Sequence, residues 1–589
     1  MKTIRVLPAP LAALLCVATL LLAGFSTAGE GSSVPGLSRE ETLRLGERIY
    51  RDGILPSGEP LTAVVQGDIP VEGTMFSCVS CHLRSGLGSF EGEVLTPPTN
   101  GDILYQPWDS HRETAKLRKG TMEGTMKLRK RTLFYLSRVG EFPSRPAYTD
   151  ETLADAIREG ADPEGRDFIG VMPRYPFGDR DMAILIEYLK SLSNDPSPGV
   201  TETTVRFATI ITEEVSRKER DEMLAPLERY IKIYNGHLRR QTRKPTGARA
   251  EEGVWRLPAD PGRRQVSLVL WELKGSPDTW RGQLEEYYRK EPVFALLGGI
   301  TTKEWRPIHE FSEANAIPCL FPITDLPVVS ATDWYTLYFS KGFYQEGETA
   351  AHHLARTEDP ASTGTVVQAY PDTPEGKAFA AGFRDAWSES GRGPLVEKAL
   401  PAGAPVTRED LDRATGKGRH VVLALWTGAD SLPALEAAAG RDGGIATIYL
   451  SATLLKEGLL TVPEALRERT YITYPYNLAK PLPGMTYPPP SRQKDPLQIT
   501  DRRVAGKAAT IYPVLNELFP SLESNYFRDY MFDIIDASMI NWRMPAVLPT
   551  FERISFGPGQ RYASKGCYIV QLSKGDRPEL VRKTDWVVH

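Results

Sequence analysis

Phe294-Ala295-Leu296-Leu297-Gly298-Gly299-Ile300-Thr301-Thr302 is the stretch from which most of the fold follows. It opens with an uncharged apolar run and closes on a glycine pair, and a run so short and so apolar reads as a strand buried on both faces. Gly298 and Gly299 would let backbone approach a ligand, and Thr301 and Thr302 set hydroxyls beside amides at a helix start. A ligand carboxylate fits such a place, and so does an ordinary helix cap. Comparable runs lie on either side, at Val205 to Ile211, Val266 to Leu270, Val366 to Ala369, Val421 to Trp426 and Ile445 to Leu450. Between them, Asp221 to Leu238, Pro277 to Lys290, Glu375 to Ser388 and Ser431 to Ala439 carry charges on one side of an apolar face, as surface helices do. This alternation predicts an α/β domain with parallel sheets over 204–589. That is more chain than one sheet with its helix layers needs, so two lobes are expected.

Going back along the chain, Ser193-Asn194-Asp195-Pro196-Ser197-Pro198-Gly199 ends an apolar helix pattern and marks a linker over 193–203. The segment before it, 37–192, has a different texture. Helical patterns run from Glu40 to Arg51 and from Asp179 to Ser191, with much irregular chain between. Inside it stands Cys78-Val79-Ser80-Cys81-His82, the C-x-x-C-H pattern of covalent haem attachment. Two thiols at this spacing add to the haem vinyl groups, and the next histidine reaches the iron from one side. A zinc site would need further Cys or His ligands nearby. The candidates for the opposite axial position are His111, Met75, Met122, Met126, Met172 and Met182. Met172 is preferred, because Gly170-Val171-Met172-Pro173-Arg174-Tyr175 is irregular chain able to aim a side chain at iron. Met182 lies on the apolar face of the last helix and reads as packing; Met122, Met126 and His111 remain alternatives.

The 589 residues are 41% hydrophobic and 25% charged, the composition of a folded soluble protein, and the formal net charge of −4 gives no general attraction to nucleic acid. Lys2 and Arg5, an apolar stretch from about Leu11 to Leu22, and Ser26-Thr27-Ala28 have the layout of a secretory signal peptide, so 1–28 is expected to be removed and the protein to be periplasmic. No later segment is apolar enough to span a bilayer. Of the five cysteines, Cys319 and Cys567 are left over from the signal and the haem motif, either bridged or buried as free thiols. His352 and His353 adjoin on a helix and point about 100° apart, which argues against a shared metal. The run Lys116, Arg118, Lys119, Lys127, Arg129, Lys130 and Arg131 is either a solvated face or a docking patch for an acidic electron partner.

The segment 37–192 resembles a class I cytochrome c. Gly46 and Tyr50 are similar to that family's N-terminal helix, where a glycine permits close crossing by the last helix, here with Ile184, Tyr188 and Leu189. Arg145-Pro146-Ala147-Tyr148-Thr149-Asp150, followed by Leu153, Ile157 and Gly160, is similar to the helix before its methionine loop. The region from about Ser85 to Gly140 departs from the family as a long insertion. The segment 204–589 resembles type I periplasmic binding proteins, particularly branched-chain amino acid and amide receptors, through the opening stretch, Ile317-Pro318-Cys319-Leu320-Phe321-Pro322, and the strand and helix from Val366 to Trp387. The resemblance implies two lobes closing on a small molecule; Thr301 and Thr302, with Thr324, Tyr370 and Tyr474 after other apolar runs, are the candidate ligand-binding residues for such a cleft.

The expected fold is therefore mixed, a mainly α-helical cytochrome c domain followed by a two-lobed α/β domain. The expected function is single-electron transfer by one covalently attached haem c, held by Cys78 and Cys81 and ligated by His82 and Met172, fused to a receptor-like module for a small solute or a redox partner. Histidine and methionine ligation fills both axial positions and favours electron transfer over catalysis. Alternatives are a solute-binding or sensing receptor with haem-linked ligand binding, and an electron-accepting subunit of a periplasmic dehydrogenase system. The redox partner would be such a dehydrogenase or another cytochrome. No G-x-S-x-G elbow, P-loop or H-E-x-x-H marks a hydrolase or nucleotide enzyme, so a non-catalytic role is expected.

Overall fold

The computed structural model describes residues 34–65, 68–91, 94–109, 143–168, 170–242, 263–357, 364–416, 420–440, 444–478, 502–522, 524–538, 550–551, 554–557 and 559–588. The expected signal peptide, most of the insertion, the basic run from Lys116 to Arg131, His111, Met122 and Met126 lie outside them. The chain divides into two compact units, Met1–Asp195 and Pro196–His589.

In the first unit the described elements are α1 (Arg39–Asp52), β1 (Thr62–Val65), β2 (Ile69–Glu72), α2 (Val79–His82), β3 (Ser89–Glu91), β4 (Val94–Thr96), α3 (Gly101–Leu104), α4 (Asp150–Glu159) and α5 (Asp179–Ser191). Helix α1 starts where the Ser38 side chain accepts from the Glu41 amide and stops at Gly53, whose φ of 66° is left-handed. Thr149 and Thr152 form a reciprocal cap on α4, which ends at Gly160. Two small antiparallel strand pairs, β1 with β2 and β3 with β4, accompany the helices and were not foreseen from the sequence. The core gathers around the crossing of α1 and α5, with Ile49, Tyr50, Ile184, Leu185 and Tyr188 buried. A Cβ on Gly46 would stand 2.5 Å from Tyr188 Cβ and 2.7 Å from the Ile184 carbonyl oxygen, so the glycine is what lets these helices touch.

The second unit begins with β5 (Thr204–Thr212), α6 (Arg217–Thr242), β6 (Gln265–Leu273), α7 (Trp280–Lys290), β7 (Ala295–Leu297), α8 (Arg306–Ala314), β8 (Cys319–Leu320) and β9 (Thr336–Leu337). These strands form a parallel sheet in the order β6-β5-β7-β8-β9. There follow α9 (Phe343–Thr357), β10 (Val366–Pro371), α10 (Pro374–Glu389), β11 (Leu395–Leu400), α11 (Arg408–Thr415), β12 (Val421–Leu425), α12 (Leu432–Ala438), β13 (Ile445–Ser451) and β14 (Thr470–Tyr474). Helices α13 (Lys507–Leu522) and α14 (Arg528–Ser538) and strands β15 (Gly566–Leu572), β16 (Leu580–Arg582) and β17 (Val587–Val588) complete it. The second sheet runs β11-β10-β12-β13-β14, all parallel, and then adds β15 and β16 antiparallel.

Each sheet is covered on both faces. Phe207, Leu297, Ile511, Leu515 and Phe532 pack on one side of the first sheet, and Trp271, Trp280, Trp305 and Phe311 on the other. Leu423, Leu450 and Val570 share one core cluster on the second sheet, while Phe379, Phe383 and Trp426 build another. Helices α13 and α14 thus return to the first sheet after the second has been laid down, and β15 then rejoins the second. The parallel sheets and two lobes expected from the apolar runs are present. Cys319 and Cys567 are buried free thiols on different sheets. Among the described residues no helix is long and apolar enough to cross a membrane.

Candidate functional site

In the first unit the C-x-x-C-H residues form α2 and its lead-in, with Cys78 half-buried, Cys81 exposed and His82 buried. His82 Nδ1 lies 2.9 Å from the Pro97 carbonyl oxygen, which fixes the ring and leaves Nε2 for another partner. Burial lowers the His82 pKa and outweighs the opposing pull of the Pro97 carbonyl, so the imidazole is neutral with a lone pair to give. Ser89 Oγ donates to the Cys81 carbonyl at 2.7 Å and Tyr50 to the Leu83 carbonyl at 2.8 Å, pinning the turn that follows the motif.

The loop of Met172 is fastened to the same place. Arg174 exchanges backbone hydrogen bonds of 2.8 and 2.9 Å with Val64, and Tyr175 donates to the Phe76 carbonyl at 2.6 Å, just ahead of Cys78. Met172 itself is half-buried. Met182 is buried on α5 among core residues, so packing is its role. Met75 and Val171 stand 73% and 57% exposed on the segments leading into Cys78 and Met172. Apolar side chains in that position are what a large apolar group would cover. Two thiols, a neutral imidazole with an oriented Nε2, a nearby thioether loop and an uncovered apolar rim all fit a c-type haem.

In the second unit Thr301, Thr302 and Thr324 come together past the first sheet, where Ile300 bridges Ile323, while Tyr370 and Tyr474 lie on β10 and β14 of the second. Thr301 and Thr302 follow β7 and face Glu214, which follows β5. Thr301 Oγ1 donates to Glu214 Oε1 at 3.1 Å and Thr302 Oγ1 at 3.3 Å, and the Thr212 hydroxyl donates to the same oxygen. Lys303 Nζ lies 3.9 Å from Oε2. Burial pushes the Glu214 pKa up, but the hydroxyls of Thr212 and Thr301 with the Lys303 ammonium outweigh it and hold the carboxyl below its ordinary value. A carboxylate thus sits where the sequence suggested one, and it belongs to the chain. Gly298 and Gly299 adopt φ of 60° and 93°, and Cβ atoms there would meet Ile511 and Trp305, so their conformation and packing account for the pair without a ligand.

Thr324 accepts from the Leu326 amide at 3.0 Å in the crossover after β8. Tyr370, half-buried at the end of β10, donates to Glu397 at 3.4 Å. Tyr474 is buried in the second sheet with its ring against Tyr476. His353 is buried against Tyr449, Nδ1 to hydroxyl 2.8 Å, and His352 is half-buried.

Sequence reasoning missed a second polar centre. Glu346 of α9 is buried, and its Oε2 accepts from Ser451 at 2.8 Å and Thr473 at 2.7 Å, at the carboxyl ends of β13 and β14. Burial lifts its pKa to about 7, with the Asp325 charge adding to the rise and the hydroxyls of Thr453, Thr473 and Ser451 opposing it. Asp325 pairs with Lys507 at 2.8 Å and Arg503 at 3.0 Å, tying the crossover after β8 to the start of α13. No apolar periodicity announces Glu346; the sole hint is a glutamate on an otherwise inward helix face.

A carboxyl whose folded pKa exceeds its unfolded value binds its proton more tightly when folded. Its stabilising contribution is therefore complete below about pH 4.5 and is lost as pH rises to about 7. Glu346→Gln should remove this slope. Urea unfolding across that window should show the wild type losing about 3 kcal/mol relative to the variant; parallel curves would mean that Glu346 is solvated.

Residues 259–483 match the family model described as a periplasmic binding protein. No curated protein matches the chain. Among solved structures, a branched chain amino acid ABC transporter protein from Thermus thermophilus with bound valine is 13% identical over 66% of this chain and 98% of its own, with a TM-score of 0.44. A periplasmic binding protein type 1 from Bordetella pertussis is 12% identical, covering 64% and 100%, at 0.43. A solute binding protein of an ABC transporter from Rhodopseudomonas palustris, in complex with 3,4-dihydroxy benzoic acid, is 14% identical, covering 65% and 97%, at 0.42. From just before β6 to just beyond β14, across both sheets, the second unit is thus similar to periplasmic binding proteins.

Proposed function

We propose that this chain is an exported, periplasmic solute-binding or sensing receptor of the type I kind, whose N-terminal unit holds one covalently attached c-type haem. The observation that carries the receptor reading is the pair of sheets, covered on both faces and each completed by elements late in the chain, in a unit whose residues 259–483 match the periplasmic binding protein model. Open sheets of this kind take ligands outside the carboxyl ends of the strands, where the strand order reverses. In the first sheet that point lies between β5 and β7, and in the second between β10 and β12.

The haem reading rests on Cys78, Cys81 and His82 and on the geometry around them. The two cysteines would hold the haem through thioether bonds, and His82 and Met172 would ligate its iron. A haem so held supplies single-electron transfer. The Pro97 carbonyl orients His82, and the Tyr175 hydroxyl ties the methionine loop to Phe76, two residues before the motif. With both parts active the molecule would be an electron carrier coupled to a receptor, its redox partner a periplasmic dehydrogenase or another cytochrome.

Two measurements on the full chain, produced in a host with cytochrome c maturation, test this. Haem should remain bound on a denaturing gel, and Cys78→Ala with Cys81→Ala should release it completely; haem lost from the wild type under denaturation would end the covalent reading. A thermal-shift screen of amino acids, amides, organic acids and alcohols should give at least one solute that raises Tm; silence across all classes would leave the second unit without a receptor role. Linkage is reciprocal, so a solute that moves the one-electron potential by about 59 mV must bind the two redox forms with about tenfold different affinity.

A further inference from the structure

The first lobe supplies its own anion. Glu214 stands two residues beyond β5 and Thr301 shortly beyond β7, the neighbouring strands between which the sheet order reverses. Oε1 takes the hydroxyls of Thr212, Thr301 and Thr302, and the Thr301 hydroxyl also accepts from the Lys303 amide at 3.0 Å. The donors that would grip a ligand carboxylate are therefore occupied. The Lys303 ammonium is shared in turn, 3.0 Å from the Gly275 carbonyl and 3.9 Å from Glu214 Oε2. Oε2 has no hydrogen-bond partner among the described residues and is screened from solvent, so a ligand ammonium has no open acceptor there either.

We propose that Glu214 is a built-in occupant of the anion-accepting end of the first lobe, so that this site rejects carboxylates and takes small uncharged solutes. The inference rests on the receptor reading above. An incoming carboxylate would find the hydroxyls engaged and a like charge beside them. A neutral amide or alcohol meets no such opposition, because Glu214 and Lys303 already balance each other. Glu214 is thereby a specificity-determining residue, acting by exclusion rather than by gripping the solute.

Isothermal titration of the full chain tests this with propionate and L-leucine as carboxylate probes and isobutyramide and isobutanol as neutral ones. Glu214→Ala opens the slot; Glu214→Ser opens it while keeping a small polar side chain, in case the alanine variant folds poorly; Glu214→Gln keeps it filled. The wild type and Glu214→Gln should bind a neutral probe and neither carboxylate. The alanine or serine variant should gain a carboxylate, binding it at least about tenfold more tightly than the wild type. Carboxylate binding that is equal in wild type and alanine variant would overturn the proposal, and so would neutral-probe binding with no carboxylate gained by either open variant. Both results leave the receptor reading standing. Silence toward every probe in every folded variant would overturn the two together.

Discussion

Gly46→Val should destabilise the N-terminal unit by about 3 kcal/mol or more, the largest effect expected there from a single added side chain. The Cβ alone would lie 2.5 Å from Tyr188 Cβ and 2.7 Å from the Ile184 carbonyl oxygen, and the latter is helix backbone that cannot turn aside. Valine adds two methyl groups to that clash. Helix propensity works the other way, since glycine inside a helix costs about 1 kcal/mol relative to alanine, so Gly46→Ala sets the clash against a modest gain. We expect the clash to win in both, with alanine the milder. Hydrogen exchange on the full chain reads this locally: amides of Arg39–Asp52 and Asp179–Ser191 should exchange faster, while those of the second unit keep their rates. Unchanged protection in both helices would mean that the crossing can open at no cost.

In the second unit the largest effect is expected from Arg528→Met. The buried guanidinium donates to the carbonyls of Val293 at 2.7 Å, Phe294 at 2.9 Å, and Asn315 and Ala316 at 3.2 Å, and to the Tyr288 hydroxyl at 3.1 Å. Carbonyl dipoles hold this charge, two of them just past the C-terminal end of α8, where a cation is favoured. Methionine keeps the bulk but leaves those carbonyls buried and unpaired, at a cost of about 3 to 5 kcal/mol. Arg528→Lys keeps the charge without the planar fork and should lose an intermediate amount. Urea unfolding followed by tryptophan fluorescence would report it, because Trp271, Trp280 and Trp305 share this lobe's core. A loss below about 1 kcal/mol would mean that water satisfies the carbonyls.

What the sequence disclosed follows a physical division. Runs such as Val205 to Ile211 and Ile445 to Leu450 became strands because burial on both faces demands uninterrupted apolar residues, and that demand is written locally. Gly46 was singled out by a family resemblance rather than by its own pattern, and its close approach to Tyr188 and Ile184 is what the structure adds. The motif Cys78 to His82 has the spacing that covalent haem attachment would need, so the sequence poses that reading before any fold is known. Glu214 is different. Thr212-Glu213-Glu214 looks like any polar strand end, and only the folded sheet brings it to Thr301. Glu346 was hidden likewise, because its hydroxyl partners Ser451 and Thr473 come from strands far along the chain. The glycine pair after β7 was read as room for a ligand, whereas packing against Trp305 and Ile511 accounts for it. Return of α13 and α14 to the first sheet was also invisible, since an amphipathic helix does not say which sheet it will cover.

That return constrains the order in which the molecule can assemble. During vectorial synthesis β5 to β9 emerge early, but the face carrying Phe207 and Leu297 stays open until Ile511, Leu515 and Phe532 arrive. The second sheet likewise waits for β15 to pair with β14. Neither lobe is a self-sufficient folding unit along the chain, and both reach completion almost together. A nascent chain lacking its last ninety or so residues would expose two unfinished sheets, which makes it a natural client for holdase chaperones.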